Sequence, residues 1–161
     1  MAIGIDFGSS KCCVGVFVNG HIKIIENESN HKSTPSCVSF SDKERFVGEE
    51  AKNVASFHPK STIMCAKKLL GQKYDSDACA EVRNCYSTKL AESNGRVSFK
   101  VNYRQKEMLL SPEQIASMLL RKMKILAEND LGCQVSDAVI AVPAYFNNRQ
   151  RQAVLDAAEI A

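Results

Sequence analysis

The stretch IGIDFGSSK, from Ile3 to Lys11, opens the chain and decides how the rest of it is interpreted. An apolar strand leads to an aspartate, the backbone breaks at a glycine, and two hydroxyls precede a second apolar run, Cys12–Val18. A hairpin of this kind can present backbone N–H groups to a phosphate. The competing interpretation is a plain turn with an Asx-type hydrogen bond. The stretch is neither a P-loop nor a Rossmann fingerprint, because neither GxxxxGK nor GxGxxG occurs.

Each polar position of this hairpin has a chemical reason to bind a phosphorylated ligand. Gly8 allows a tight turn and a close approach of the backbone, and Ser9 and Ser10 add hydroxyl donors. Asp6 is a hard carboxylate suited to Mg²⁺, held through water because Mg²⁺ releases its hydration shell reluctantly. The stretch therefore predicts a phosphate site with a magnesium ion beside it.

Composition excludes several classes of partner. The 21 basic and 18 acidic residues are scattered, so no block of like charge marks a nucleic-acid or membrane surface. Seven cysteines occur without CxxC pairs or metal-ligand spacing, and we expect free thiols. With Met1 running straight into a strand, these features predict a reducing, cytoplasmic compartment and leave the nucleus open. No apolar run approaches the ~20 residues of a membrane span.

Local signals predict most of the elements around the hairpin. Asn19-Gly20 predicts a type I′ turn into a third strand, His21–Ile25, so the chain opens with an antiparallel meander. Ser111-Pro112 with a glutamine at the third helical position predicts a helix that runs to about Asn129. Ser61 or Thr62 is expected to cap another helix, residues 63–70, which ends at a glycine.

The end of the chain has the pattern of a strand followed by a helix. Asp137–Val142 is a continuous apolar run, which predicts a strand covered on both faces. Asn147 caps a predicted helix, Asn148–Ala161. The apolar residues of that helix are Val154, Leu155, Ala158 and Ile160.

These elements predict an α/β fold with a mixed sheet covered by helices. We expect residues 1–37 and 111–161 to form a core subdomain, because they hold the meander and the final helix-strand-helix unit. Residues 38–110 are expected to form a small inserted α+β subdomain.

Further segments carry a family resemblance. Beside GIDFGSS, the chain contains STPSCVSFSD, VGEEAKN, AKKLLGQ, SPEQIASMLLRKMK and AVIAVPAYFNNRQRQAVLDAAEIA in this order. This set resembles the N-terminal part of the ATPase domain of the seventy-kilodalton heat-shock chaperone family, with residues 74–106 only loosely matched. The resemblance implies the first lobe of an actin-like, ribonuclease H-like fold.

The resemblance also implies residue roles. Gly8, Ser9, Ser10 and Lys11 would contact the β- and γ-phosphates of ATP or ADP, with Asp6 on the water shell of Mg²⁺.

Two further sets of roles come with the resemblance. Lys67 falls on the family's catalytic lysine, which reaches the γ-phosphate; from the sequence alone it would be an exposed helix lysine. Pro143 and Arg151 fall on the residues that relay nucleotide state to the interdomain surface. Without the resemblance they would be a strand terminator and a solvated arginine.

The sequence departs from the family pattern beside the expected phosphates. Ser9 and Ser10 stand where two threonines are usual, which keeps the hydroxyls. Lys11 replaces a common aromatic residue and adds a cation. Lys68 replaces an arginine and loses its planar bidentate fork.

The resemblance implies a chaperone that couples ATP binding and hydrolysis to protein folding. Its partners would be unfolded polypeptides, J-domain co-chaperones and nucleotide-exchange factors. The second lobe and the peptide-binding domain of the family would lie beyond Ala161, so we expect half a nucleotide site that is inactive alone. Two alternatives stay open: a non-folding relative that acts in nucleotide exchange, and an actin-fold small-molecule kinase.

Overall fold

The computed structural model describes all 161 residues, from Met1 to Ala161. The strands are β1 (Ala2–Phe7), β2 (Lys11–Val18), β3 (His21–Ile24), β4 (Thr34–Pro35), β5 (Val38–Phe40), β6 (Arg45–Val47), β7 (Thr62–Ile63), β8 (Lys89–Ser93), β9 (Arg96–Tyr103), β10 (Lys106–Leu110) and β11 (Asp137–Ala141). The helices are α1 (Glu49–Val54), α2 (Ala66–Leu69), α3 (Asp77–Cys85), α4 (Pro112–Leu131) and α5 (Asn148–Ile160), with a 3₁₀ turn at Pro59–Ser61. No helix combines the length and apolar character that crossing a membrane requires.

The main sheet has the strand order β11-β1-β2-β3, and β4 adds a short pairing to the start of β2. β1, β2 and β3 form the expected antiparallel meander, while β11 lies parallel to β1. The mixed sheet is thus confirmed. The turn between β2 and β3 places Asn19 at φ 52° and Gly20 at φ 80°, the two positive angles that a type I′ turn requires.

Residues 38–110 form two smaller antiparallel sheets, β6-β5-β7 and β10-β9-β8. A single cluster of 32 buried hydrophobic residues includes members from this region and from the main sheet. The division into a core and an inserted subdomain stays a prediction. Elements α3, β6 and β10 of this region were not predicted from the sequence.

Helix α4 packs against the main sheet, and its predicted N-terminal cap at Ser111 is confirmed. The Ser111 hydroxyl accepts from the Gln114 N–H at 3.1 Å, and the Gln114 side chain accepts from the Ser111 N–H at 2.9 Å. Gly132 ends the helix with φ 65° in the left-handed region. α4 contacts strands β1 and β2 and helix α5.

The predicted helix 63–70 is wrong in its first half. Thr62 and Ile63 form β7, which pairs antiparallel with Ser39 and Val38 of β5. Only Ala66–Leu69 is helical. Both residues of β7 are β-branched and buried, and their partners lie more than twenty positions earlier in the chain, so the local helical pattern could not reveal the pairing.

Two predicted burial patterns near the end of the chain are also wrong. Strand β11 was expected to be covered on both faces, but the Val139 side chain is 74% exposed. β11 is an edge strand whose Val139 lies opposite Gly4, on the face turned away from the buried Ile3 and Ile5. The α5 helix buries Ala153, Val154 and Ala157, whereas Leu155 and Ile160 of the predicted apolar set are exposed.

Candidate functional site

The turn between β1 and β2, residues 8–10, brings the predicted ligand-binding groups to one end of the main sheet. At Gly8 a Cβ atom would lie 2.2 Å from the carbonyl oxygen of Lys11, a distance that no real Cβ contact tolerates. Any larger residue would therefore push the two strands apart at the turn. Glycine is required here by the close approach of two backbone segments.

Ser36 donates two hydrogen bonds to carbonyls of the turn. Its hydroxyl donates to the Gly8 carbonyl at 2.8 Å, and its N–H donates to the Ser10 carbonyl at 2.9 Å. The Cys12 thiol lies 3.2 Å from the same hydroxyl. Because Ser36 binds the Gly8 and Ser10 carbonyls, the shape of the turn is fixed. The exposed Ser9 and Ser10 hydroxyls make no hydrogen bond within the chain.

Lys67 reaches the hairpin from α2. Its ammonium donates to the Phe7 carbonyl and lies 5.7 Å from the Phe7 ring centroid and 5.8 Å from that of Phe146. Both distances are within the range of a cation–π contact, about 6 Å. Lys67 is half-buried rather than an exposed helix lysine, and its cation is held at the end of β1.

The electrostatics of Lys67 follow from this position. Partial burial lowers the pKa of Lys67, because the charged ammonium is favoured by water, and Asp6 and then Cys12 act in the opposite direction. Asp6 is exposed on β1, opposite Cys13. The site thus brings the Lys67 ammonium of α2 to the hairpin that carries the Asp6 carboxylate.

The residues present fit a magnesium ion that is bound mainly by its ligand. No group of three or more His, Cys, Asp or Glu side chains could form a closed metal cage in the chain. Asp6 offers one exposed carboxylate beside a turn with unpaired donors for phosphate. Mg²⁺ is commonly held in this way, by one or two carboxylates together with water and substrate phosphates.

Pro143 and Arg151 meet at one turn. The Phe146 N–H donates to the Pro143 carbonyl at 3.1 Å, which closes the turn after β11. The Arg151 guanidinium donates to the carbonyls of Phe146 at 3.0 Å and Ala144 at 3.2 Å. Because the Phe146 ring lies beneath the Lys67 ammonium, this turn connects Arg151 to the hairpin site.

Lys68 follows Lys67 in α2 but contacts a carboxylate of α3 instead of the hairpin. Its ammonium pairs with Glu81 of α3, and this hydrogen bond raises the pKa of Lys68. Lys11 is exposed at the start of β2 and belongs to no ion pair of the structure.

Two residues of the site were missed by the sequence analysis. Ser36 lies 28 positions from Gly8, and nothing local marks it apart from the extended Thr34-Pro35 dipeptide before it. Phe146 belongs to the quoted segment VPAYF, but its contact with Lys67 depends on how α2 and α5 pack. A Cβ atom on Gly71, at the end of α2, would lie 2.9 Å from the backbone of Arg149, which shows how close these two helices are.

The mixed α/β lobe presents an aspartate, a glycine turn held by Ser36 and a lysine at one end of its sheet, which are groups that can bind a phosphate. Comparison with known proteins identifies the family. A family model described as Hsp70 protein matches residues 2–161. The chain belongs to the Hsp70 family, and the actin-like α/β fold expected from the sequence is confirmed.

Several relatives match along the whole chain. A heat shock 70 kDa protein of Trichophyton rubrum is 43% identical over 161 residues, which are 99% of this chain and 24% of the relative. The putative heat shock 70 kDa protein 7 of Homo sapiens is 42% identical over 161 residues, which are 100% of this chain and 44% of the relative. A ribosome-associated molecular chaperone of Zygosaccharomyces rouxii is 42% identical over 159 residues, 99% of this chain and 26% of the relative. The chain therefore spans less than half the length of these relatives.

Proposed function

We propose that this chain is the ATP-binding lobe of a chaperone that couples ATP binding and hydrolysis to protein folding. The observation that carries the proposal is the Lys67 ammonium held at the Phe7 carbonyl, beside a turn whose Ser9 and Ser10 hydroxyls are unpaired. An ammonium and unpaired hydroxyl donors that line the same cavity favour a phosphate group there. Membership of the Hsp70 family supports ATP or ADP as the source of that phosphate.

Each residue has a stated role in the proposal. Gly8–Lys11 bind the β- and γ-phosphates through backbone N–H groups, hydroxyls and the Lys11 ammonium. Asp6 holds the water shell of Mg²⁺, which when bound neutralises phosphate charge. Lys67 leaves the Phe7 carbonyl for the terminal phosphate and stabilises the charge that develops there.

Pro143 and Arg151 are proposed to transmit the state of the site. When Lys67 turns from the Phe146 ring toward a phosphate, the turn that Arg151 holds loses one contact. The partners that we propose for the whole protein are unfolded polypeptides, J-domain co-chaperones and nucleotide-exchange factors. We propose a cytoplasmic location, in keeping with seven free thiols.

The test is calorimetric titration of the 161-residue chain with Mg·ATP. We expect weak binding and negligible turnover in a phosphate-release assay, because these residues span less than half the length of their relatives. Lys67→Ala should weaken Mg·ATP binding at least fivefold, whereas Lys60→Ala, a lysine remote from the hairpin, should leave it unchanged. Equal affinity of Lys67→Ala and the unsubstituted chain would refute the proposed site. Rapid ATP turnover by the chain alone, abolished by Lys67→Ala, would refute the expectation that these residues form only half of a nucleotide site.

A further inference from the structure

Ser36 orients two peptide planes of the turn between β1 and β2. Its hydroxyl donates to the Gly8 carbonyl at 2.8 Å, and its N–H donates to the Ser10 carbonyl at 2.9 Å. The chain has no cis peptide bond, so each C=O points in the opposite direction to the N–H of the same peptide plane. Because both carbonyls face Ser36, the N–H groups of Ser9 and Lys11 point away from it.

The backbone donors at the tip of this turn have no partner in the chain. The N–H groups of Ser9 and Ser10 donate to no atom of the chain, and both residues are exposed. Successive backbone N–H groups in a turn form a concave site for an anion. Such donors bind best when their directions are fixed before the ligand arrives. In this turn the direction is set by a residue 28 positions from Gly8.

The Cys12 thiol extends this arrangement to a chain of two hydrogen bonds. Its sulfur lies 3.2 Å from the Ser36 hydroxyl oxygen. Because the single hydrogen of that hydroxyl is donated to Gly8, the thiol must be the donor in the contact with Cys12. Burial raises the pKa of Cys12 to about 11, so the thiol carries its hydrogen at neutral pH. A donor to the hydroxyl oxygen strengthens the hydroxyl as a donor in turn.

We propose that Ser36, supported by the Cys12 thiol, is a positioning residue that sets the affinity of the turn for phosphate by fixing its backbone N–H directions. Ser36 acts through the turn and not by contact with the ligand. The proposed function gives no role to Ser36 or to Cys12. The identity of the ligand as a phosphate group rests on the proposed function, whereas the orienting hydrogen bonds are present without a ligand.

The first experiment titrates the 161-residue chain with Mg·ATP and with inorganic pyrophosphate in the presence of Mg²⁺. Ser36→Ala should weaken the binding of both ligands at least fivefold, because the N–H groups of the turn lose their common direction. Ser39→Ala is the matched control: this serine is also buried, and its hydroxyl lies 2.8 Å from that of Thr62. It should be destabilised in thermal unfolding as Ser36→Ala is, but should keep its affinity for both ligands.

Two spectroscopic measurements on the chain without ligand report positioning directly. In NMR relaxation of the amide nitrogens, Ser36→Ala should increase the mobility of Ser9 and Lys11, and Ser39→Ala should not. The infrared S–H stretching band of Cys12 is obtained by subtracting the spectrum of Cys12→Ser in each background. It should move to higher frequency in Ser36→Ala, because the thiol loses its acceptor.

Substitution of Cys12 tests the second hydrogen bond. Cys12→Ala removes the donor to the Ser36 hydroxyl and should weaken pyrophosphate binding about twofold to threefold. Cys12→Ser keeps a donor at this position and should weaken it less. Equal affinities of these two variants would remove the thiol from the proposed chain of hydrogen bonds.

The positioning role of Ser36 is overturned if Ser36→Ala binds both ligands as tightly as Ser39→Ala does, or if its turn amides keep their mobility. Failure of the nucleotide proposal looks different: pyrophosphate would bind in a manner that depends on Ser36, and Mg·ATP would not bind. If Mg·ATP binding depends on Lys67 but not on Ser36, the nucleotide proposal stands and the positioning role fails. If neither ligand binds, both fail.

Discussion

Helices α4 and α2 are both followed by a glycine in the left-handed region, Gly132 at the C-cap of α4 and Gly71 one residue beyond the C-cap of α2. The two helices differ in length, in capping and in what surrounds the glycine. Gly132 after α4 has φ 65° and nothing within 4 Å of a Cβ atom. Gly71 after α2 has φ 68°, and a Cβ atom there would lie 2.9 Å from the backbone of Gln150 in α5. The twenty-residue α4 has a complete capping box, whereas the four-residue α2 has no side-chain cap.

The difference shows which helix is determined by signals within its own sequence: α4 has such signals in its capping box, and α2 has no side-chain cap. An isolated four-residue helix is far below the length of about 12–15 residues at which helices become marginally stable in water. α2 must therefore be held by tertiary contacts, and it is the helix that carries Lys67. The site depends on packing, while its supporting scaffold depends on sequence-local signals.

Alkaline pH should give the largest effect, through three buried thiols: Cys12 in β2, Cys37 before β5 and Cys65 at the start of α2. Burial raises the pKa of Cys12 and Cys37 to about 11 and of Cys65 to about 12, from 9.0. Above pH 9 the unfolded chain loses these protons first, so the stability that is present below pH 9 is lost as pH rises toward 11–12. The slope is about 1.4 kcal/mol per pH unit for each thiol.

The measurement is urea unfolding between pH 8 and pH 11 under reducing conditions. Lys67 contributes a smaller opposite trend, since its lowered pKa makes the folded state gain stability as pH approaches 10.5. Cys65→Ala should remove about a third of the loss, and the exposed Cys133→Ala should remove none. Equal slopes for these two variants would contradict the assignment.

The two glycines give the next largest effect. Gly132→Ala should destabilise the chain by about 1–2 kcal/mol, the cost of a left-handed conformation for a residue with a Cβ atom. Gly71→Ala should cost about 2–5 kcal/mol, because overpacking against α5 adds about 1–3 kcal/mol. Urea midpoints of the two variants measure the difference, and equal values would show that α5 does not hold α2.

Loss of the α4 cap should give the smallest effect. Ser111→Ala removes the hydrogen bond to the Gln114 N–H and should cost about 1 kcal/mol, within the range of about 0.5–2 kcal/mol for N-caps. Ser87→Ala is the control, an exposed serine without a hydrogen bond, and should change stability by less than about 0.5 kcal/mol. A cost at Ser111 no larger than at Ser87 would mean that packing alone holds α4.

Prediction succeeded where a signal lies within a few residues of its effect. The meander, its Asn19-Gly20 turn and the starts of α4 and α5 are determined by turn chemistry and capping, which act over two to four residues. The hairpin at Gly8 was found for the same reason. The roles of Lys67 and Arg151 came from the family resemblance, whereas the role of Asp6 was also argued from its carboxylate chemistry. All three roles stay predictions.

By itself, the sequence determined the hairpin, the capped helices and the family of this protein, because each depends on short, ordered patterns. Tertiary structure decided the rest. It placed Lys67 on a carbonyl 60 positions away, it braced the turn through Ser36, and it made Thr62-Ile63 a strand instead of a helix. These outcomes depend on which distant surfaces pack together, and packing free energy is larger than the local preference of a few residues.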